Sequence, residues 1–375
     1  MGTLLLGFWF VAIWIFGSTY EQQSHSNGLN VLVADLDGEV IGECLLAASR
    51  AISGSSQAVT FVSVPGSSCS YSEVYDLVWS GHYWGAIIAM PNATNQFDTA
   101  VHNGIGQTED LVRYVFNEVR WVTVAESYVL PSLTAAVNGL NNCYSQNVTA
   151  PRLANETLSL ASTRVLLDGI QARSINVKPF EIGMRPFLNT VGMVFPILLA
   201  FFFIMAMGGI ANLSGWYQPD RILSRYLNRI FLSLLYSCVV GISWGLWLEV
   251  FREDFDITGG QYCLIWLIYW IYAFIAFEVL DTAAAFVPVP FLPLCVLTYV
   301  IVNVGASVFP IDIKPAFYHL DYIWPSYNCF ELLISVLSQG STSRVYRNIP
   351  VLFGWLVVWM PLGFMANRRR CRMSQ

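Results

Sequence analysis

The chain has 375 residues, of which 55% are hydrophobic and only 12% charged, with a formal net charge of −6. Soluble domains carry about a quarter charged residues, so this composition excludes an ordinary cytosolic protein, a disordered segment and a small disulfide knot. The acidic balance also leaves no basic patch to track a nucleic-acid backbone. What remains is an integral membrane protein, and the aromatic residues, 15% of the chain, suit belts at a membrane interface.

A spanning helix needs about 20 mainly apolar residues. Six segments meet or approach that length: Thr3–Ser18, Phe187–Ala211, Ile230–Leu248, Tyr262–Val279, Phe291–Phe309 and Ile349–Ala366. Residues 1–20 therefore read as a first transmembrane helix, a signal anchor. Cleavage as a signal peptide is the alternative, but the segment has no basic leader and a poor small-x-small site around Gly17–Thr19. Residues 21–185 have ordinary globular composition and enough length to bury a core. Asn30–Ala34, Ala58–Val64 and Trp84–Met90 read as strands, Gly42–Ser53 and Tyr71–Ser80 as helices between them. Val112–Phe116 is a further strand, Glu118–Leu140 and Glu156–Ile170 are helical, and Ile175–Arg185 returns the chain to the bilayer. Residues 186–366 form a five-helix membrane domain. Within it, the stretch near 317–340 is too short and polar for a clear span and reads as a re-entrant or interfacial helix. Residues 367–375 read as a basic cytoplasmic tail. The fold class is thus an α-helical membrane protein with six transmembrane helices and an inserted α/β extracytoplasmic domain.

Basic residues in short connections set orientation. Arg221, Arg225 and Arg229 follow the second helix and Arg368, Arg369, Arg370 and Arg372 follow the sixth. The loop after the third holds Glu249, Glu253, Asp254 and Asp256 against Arg252 alone. Both termini fall in the cytoplasm, with Arg344 and Arg347 the one dissent. Three glycosylation sequons, at Asn92, Asn147 and Asn155, lie in the domain placed outside; a fourth, at Asn212, falls beside the arginines and is expected unmodified.

The chemical motifs mostly have plainer readings. Asp35-Leu-Asp37-Gly38 after an apolar strand resembles the nucleophile motif of haloacid-dehalogenase-type phosphatases. Glu39 stands where that motif has Thr, and the only lysines, Lys178 and Lys314, fall in the wrong context, so an Asp-Gly turn is the better reading. Gly241-Ile-Ser243-Trp-Gly245 matches a nucleophile elbow but lies inside an apolar helix, where small residues allow close packing. Glu253-Asp254-Phe255-Asp256 reads as a solvated acidic loop rather than a cation site. There is no phosphate-binding GxxxxGK[ST] loop, and the eight scattered cysteines form no CxxC pair, zinc set or redox framework. No cofactor, metal or catalytic residue is assigned, and the chain is not read as an enzyme. Glu278 and Asp281, three apart on one face near the end of the fourth helix, are candidates for a transport path, as is Asn303 in the fifth; solvated interfacial carboxylates are the alternative.

The order of one helix, an outer α/β domain and five helices resembles the fungal nitrosoguanidine-resistance permease family, whose membrane part is similar to type-2 ABC exporter permeases. The matching strings are Val31–Gly42, Arg185-Pro186-Phe187 and Tyr322–Glu331. The resemblance implies a multi-pass plasma-membrane glycoprotein of fungal type. Its role would be export of, or resistance to, small hydrophobic or toxic compounds, without an ATPase of its own. The partners it leaves open, besides the bilayer and the small molecule, are a separate ATPase and a second copy of the chain. A non-transporting membrane organiser and an integral membrane enzyme such as a cyclase are the competing readings.

Overall fold

A computed structural model of the chain describes residues 2–53, 59–64, 69–104, 110–181, 183–217 and 221–373. The contacts divide it into two compact units, Glu21–Phe180 and Met1–Tyr20 with Glu181–Gln375.

The first unit is built on a five-stranded sheet. Its strands are β1 (Asn30–Asp35), β2 (Thr60–Val64), β3 (Gly85–Ala89), β4 (Val112–Phe116) and β5 (Ala172–Asn176), in the order β2-β1-β3-β4-β5. Ala58, expected to open β2, lies outside the described residues. β1 runs parallel to β2 and β3, with Leu32 opposite Val62 and Ala86; β4 is antiparallel to β3 and parallel to β5. An unbroken apolar run such as Val31–Ala34 belongs to a strand covered on both faces. Accordingly Leu32, Ala34, Ala86, Ile88 and Val115 pack against Val74 and Val78 on one face, while Val31, Val33 and Ile87 are buried on the other.

After α1 (Gly2–Gly17), which belongs to the other unit, the helices of this domain are α2 (Val40–Ser53), α3 (Tyr71–Trp79), α4 (Ala93–Asn103), α5 (Leu130–Tyr144) and α6 (Leu160–Asp168). α3 starts at a capping box in which Ser70 and Glu73 satisfy each other's backbone N–H. The helix expected from Glu118 begins only at Val122 and opens into a wide turn over Ala125–Val129. Pro131 follows at once, and its ring would clash with a carbonyl in a regular turn. Two elements have no counterpart in the expectations. α4 is polar except for Ala93, Phe97, Ala100 and Val101, and β5 is a half-exposed edge strand. A disulfide joins Cys44 of α2 to Cys143 of α5, so the cysteines do hold a framework that no local spacing revealed.

The second unit is helical. Besides α1 it contains α7 (Val191–Leu213), α8 (Ile222–Val250), α9 (Gly259–Phe286), α10 (Leu292–Val308), α11 (Pro325–Leu337) and α12 (Val345–Met373). Five stretches are long and apolar enough to cross a membrane: α7, α8, α9, Val289–Val308 and α12. α1 has 16 residues, or roughly 24 Å at 1.5 Å per residue, against a hydrocarbon core of about 30 Å. The expected sixth span is therefore not among the membrane-length helices. α1 nevertheless packs in this unit: its Trp14 meets Phe317, Tyr318 and Trp324 edge-on, and Tyr318 donates to the Ile13 carbonyl.

α9 is the centre of the bundle. Of its most apolar window 67% is buried, against 17–44% for the other spans. α8 reaches it through the two glycines of the GxSxG string. A Cβ on Gly241 would stand 2.8 Å from the Trp266 carbonyl oxygen, and one on Gly245 would meet the Tyr262 ring at 2.9 Å. Trp266 and Trp270 donate back to the α8 carbonyls of Cys238 and Leu234. That string lies on a continuous helix and provides the close approach that small residues allow.

Two boundaries correct the sequence reading. α8 begins at Ile222, so Arg225 and Arg229 are helical rather than loop residues. α12 runs on to Met373, so the arginines from Arg368 to Arg372 form helical turns and not a tail. Hydropathy ends a span at its first charges, whereas backbone hydrogen bonding carries the helix past them.

Candidate functional site

The aspartates after β1 come first, because their string is the most enzyme-like. Asp35 Oδ1 accepts from the backbone N–H groups of Asp37 and Gly38 at 3.0 and 2.9 Å. Asp37 accepts from the Thr94 hydroxyl at 2.6 Å and the Thr94 N–H at 3.1 Å. Both carboxylates are thus engaged by donors of their own unit, in an Asx-type turn. Gly42 completes the arrangement, since a Cβ there would lie 1.9 Å from Asp35 Oδ1. Gly42→Ala should therefore destabilise this unit by about 1–3 kcal/mol through overpacking. Thermal unfolding of the full chain reads this, and an unchanged transition would refute the tight seat. Among the described residues no group of three His, Cys, Asp or Glu is placed to hold a metal ion.

The charged site lies in the helical unit. Glu278, Asp281 and Thr282 share one face of α9, as their i, i+3, i+4 spacing requires, and all three are buried. They do not stand at a solvated helix end: α9 continues to Phe286, and α8 and α12 cover them. Arg229 of α8 grips Asp281 with two nitrogens, Nε donating to Oδ2 at 2.9 Å and Nη2 to Oδ1. Its Nη1 donates to the Tyr217 hydroxyl at 3.0 Å. Arg370 of α12 donates to both Asp281 carboxylate oxygens, at 2.9 and 3.0 Å, and to the Asp281 carbonyl at 2.6 Å. Two guanidiniums therefore converge on one carboxylate, and planar bidentate forks of this kind are what arginine makes best.

Glu278 is arranged differently. Among the described residues no salt bridge or hydrogen bond holds its carboxylate, and it lies 3% exposed. It faces α12 at Gly363, where a Cβ would come within 2.9 Å of Glu278 Oε2, and the buried Thr282 hydroxyl beside it has no partner. A carboxyl without an ion pair inside a spanning helix is a functional signal by default.

A cavity of about 500 Å³ opens beside this cluster, lined by Gly208, Gly209 and Asn212 of α7, by Tyr217, and by both arginines. The structure thus brings Glu278 and Asp281 together and leaves Asn303 elsewhere. Asn303 is fully buried and ties α10 to the start of α11. Its carbonyl accepts from the Ser326 hydroxyl at 2.6 Å, and its Oδ1 from the Ser326 N–H at 3.3 Å. The sequon asparagines Asn92, Asn147 and Asn155 are all exposed in the Glu21–Phe180 unit, whereas Asn212 lines the cavity. Sequence reasoning missed Arg229 and Arg370 as members of this buried cluster because it used them for topology. The available signal was charge balance, since buried carboxylates in a spanning helix need cations from neighbouring helices.

A second buried pair, also unforeseen, joins Lys314 to Asp321 at 2.7 Å, with neither side chain exposed. The string Tyr322–Glu331 holds a third cluster, in which Glu331 receives Arg347 and the Tyr327 hydroxyl while the guanidinium of Arg347 stands over the Tyr322 ring.

Comparison with known proteins places the chain beside a family and a curated relative. The family described as "Protein of unknown function (DUF3533)" matches residues 2–360. An uncharacterized endoplasmic reticulum membrane protein of Saccharomyces cerevisiae is 24% identical over 306 residues, covering 75% of this chain and 58% of that protein. The chain thus spans less than two thirds of the relative's length. With five membrane-length helices, it is a multi-pass membrane protein whose environment is the lipid bilayer.

Proposed function

We propose that this chain, which belongs to the DUF3533 family of proteins of unknown function, is a permease-like protein. It would export, or confer resistance to, small hydrophobic or toxic compounds without an ATPase of its own. The observation that carries this reading is the cavity beside the buried carboxyl of Glu278, which no salt bridge holds among the described residues, in the central helix of the bundle. Buried ionisable groups of spanning helices mark substrate, ion or proton paths. The order of elements also resembles that of nitrosoguanidine-resistance permeases, and this resemblance is a second motive for the reading. No catalytic role is proposed, because the aspartates of the enzyme-like string are engaged by their own turn.

The test compares retention of a toxic hydrophobic compound in cells with and without the protein, and with Glu278→Gln. Neutralising Glu278 leaves the Asp281 arginine forks in place, so the variant should reach its membrane. It should lose most of its export, because the one buried carboxyl free to carry a proton or charge is then gone. Equal retention in all three cell lines refutes the transport reading.

We propose further that Arg221, Arg225, Arg229 and the arginines of the α12 end lie on the cytoplasmic side, both termini with them, and the Glu21–Phe180 unit outside. Glycosidase should then reduce the apparent mass through Asn92, Asn147 or Asn155, and a glycan on Asn212 would invert the orientation. Export from the cell requires residence at the plasma membrane, whereas the Saccharomyces relative is named for the endoplasmic reticulum membrane. Microscopy of the tagged full chain separates these two locations.

A further inference from the structure

The cavity beside the α9 cluster has walls of unequal chemistry. Its charged lining residues are both cations, Arg229 and Arg370, while the Asp281 and Glu278 carboxylates lie behind them and do not line it. Asn212 and Tyr217 add neutral hydrogen-bonding groups. Arg229 carries N–H hydrogens beyond those given to Asp281 and Tyr217. The remaining wall is apolar: Ile204 and Met205 of α7, Val289 and Leu292 at the start of the fourth span, and Met373. Met205, Val289 and Met373 are exposed, so the apolar side is continuous with the outer surface of a bundle that stands in lipid. Gly208 and Gly209 keep the space open, since a Cβ at either meets nothing within 4 Å.

We propose that this cavity binds the phosphate group of an anionic amphiphile, with the headgroup on Arg229 and Arg370 and the apolar chain passing over α7 into the bilayer. The Arg229 N–H groups not given to Asp281 or Tyr217 can donate charge-assisted hydrogen bonds to phosphate oxygens, and the Arg370 guanidinium adds positive charge to the same wall. The carboxylate behind them holds both forks in place before the ligand arrives, which lowers the ordering cost of binding. A lipid phosphate and a free phosphate ion share this recognition, and the apolar wall favours the lipid. The inference rests on the transport reading only for the fate of the bound molecule, because binding is measured at equilibrium without transport.

The experiment uses the purified full chain in phosphatidylcholine nanodiscs titrated with phosphatidic acid, with retained lipid counted by native mass spectrometry. A parallel arm titrates inorganic phosphate. The wild type should prefer phosphatidic acid over phosphatidylcholine by about tenfold or more, the size of one charged hydrogen-bonded contact. Arg370→Gln should lose the preference. Gly208→Leu, which puts an apolar side chain into the cavity and leaves both arginines in the chain, should lose it as well and serves as the second variant if Arg370→Gln fails to fold. Phosphate that binds the wild type but not Gly208→Leu upholds the anion site with a free ion as its source. Phosphate without effect, alongside a lipid preference, upholds it with a lipid as its source. Equal retention of the two lipids with no phosphate binding, or a preference unchanged in Gly208→Leu, overturns the proposal. The transport reading fails separately, on compound retention in cells.

Discussion

Replacing Lys314 with methionine should cost the helical unit about 3–5 kcal/mol, the usual result of removing one member of a buried ion pair. Methionine keeps most of the stem's volume, so the loss is electrostatic. Lys314 Nζ donates to the carbonyls of Gly305 and Ala306 and to Asp321 Oδ2, at 2.8, 2.9 and 2.7 Å. An ammonium has three donors, and all are used. The lysine therefore closes the C-terminal end of α10 and neutralises Asp321 at once. Burial pulls its pKa down and pushes that of Asp321 up, and each partner offsets part of the other's shift. Removing the lysine raises Asp321 further, so the folded variant holds a proton over a pH range in which the unfolded chain has lost it. Stability then falls as pH rises through that range. The deficit of Lys314→Met should accordingly shrink as pH drops from neutral toward the ordinary carboxylate value of about 4. The double change Lys314→Met, Asp321→Leu should recover part of the loss and remain about 2 kcal/mol below wild type, because two helix-end carbonyls still lack donors. Thermal unfolding in nanodiscs across pH checks the series. A single variant as stable as wild type at neutral pH would show that the pair contributes nothing.

Cys44→Ser should be the other severe change. The bridge to Cys143 closes a loop across a sequence separation of 99 residues. In the chain-entropy view a loop near 100 residues is worth about 4.7 kcal/mol, and losing a native bridge typically costs 2–5. Domain stabilities run from about 5 to 15 kcal/mol, so the loss is a large share of what holds the Glu21–Phe180 unit. Limited proteolysis of the full chain should cut this unit much faster in the variant. Reductant should bring the wild type to the same rate and leave the variant unaffected. Equal protease resistance in wild type and variant under oxidising conditions would remove the bridge from the stability account.

The legible parts of this protein were those with a one-dimensional signal. β1, β3 and β4 follow from apolar runs, and α3 from its place between two strands in a βαβ alternation. α4 was missed because its apolar residues are only Ala93, Phe97, Ala100 and Val101 in a polar segment, although their 3-and-4 spacing was a helical pattern. β5 offers a single large apolar residue, Ile175, to the sheet and could not be told from a connection. In the membrane unit, the spacing of Glu278 and Asp281 announced a shared face. Their burial was hidden, because Arg229 and Arg370 lie 52 and 89 residues from Asp281 in sequence. Charge counting read the same arginines as loop markers. They are helical, and their side chains turn inward to a carboxylate that no window of sequence includes. Lys314 and Cys44 were obscure for the same reason, their partners being fixed by tertiary packing.

The three-helix arrangement around Asp281 also bears on the order in which the chain is made. Arg229 emerges first, on α8, and Asp281 follows on α9, so the earliest assembled pair is one arginine with one carboxylate. The second arginine, on α12, arrives only after α10 and α11 have been synthesised. Until then α9, the helix with the most surface to hide, has one open flank and a carboxylate short of a ligand. The finished bundle is therefore distinguishable from every nascent intermediate by a single local feature. Insertion of α12 brings Arg370 onto Asp281 and Gly363 against Glu278, so the last spanning helix to be made is the one that closes the cluster.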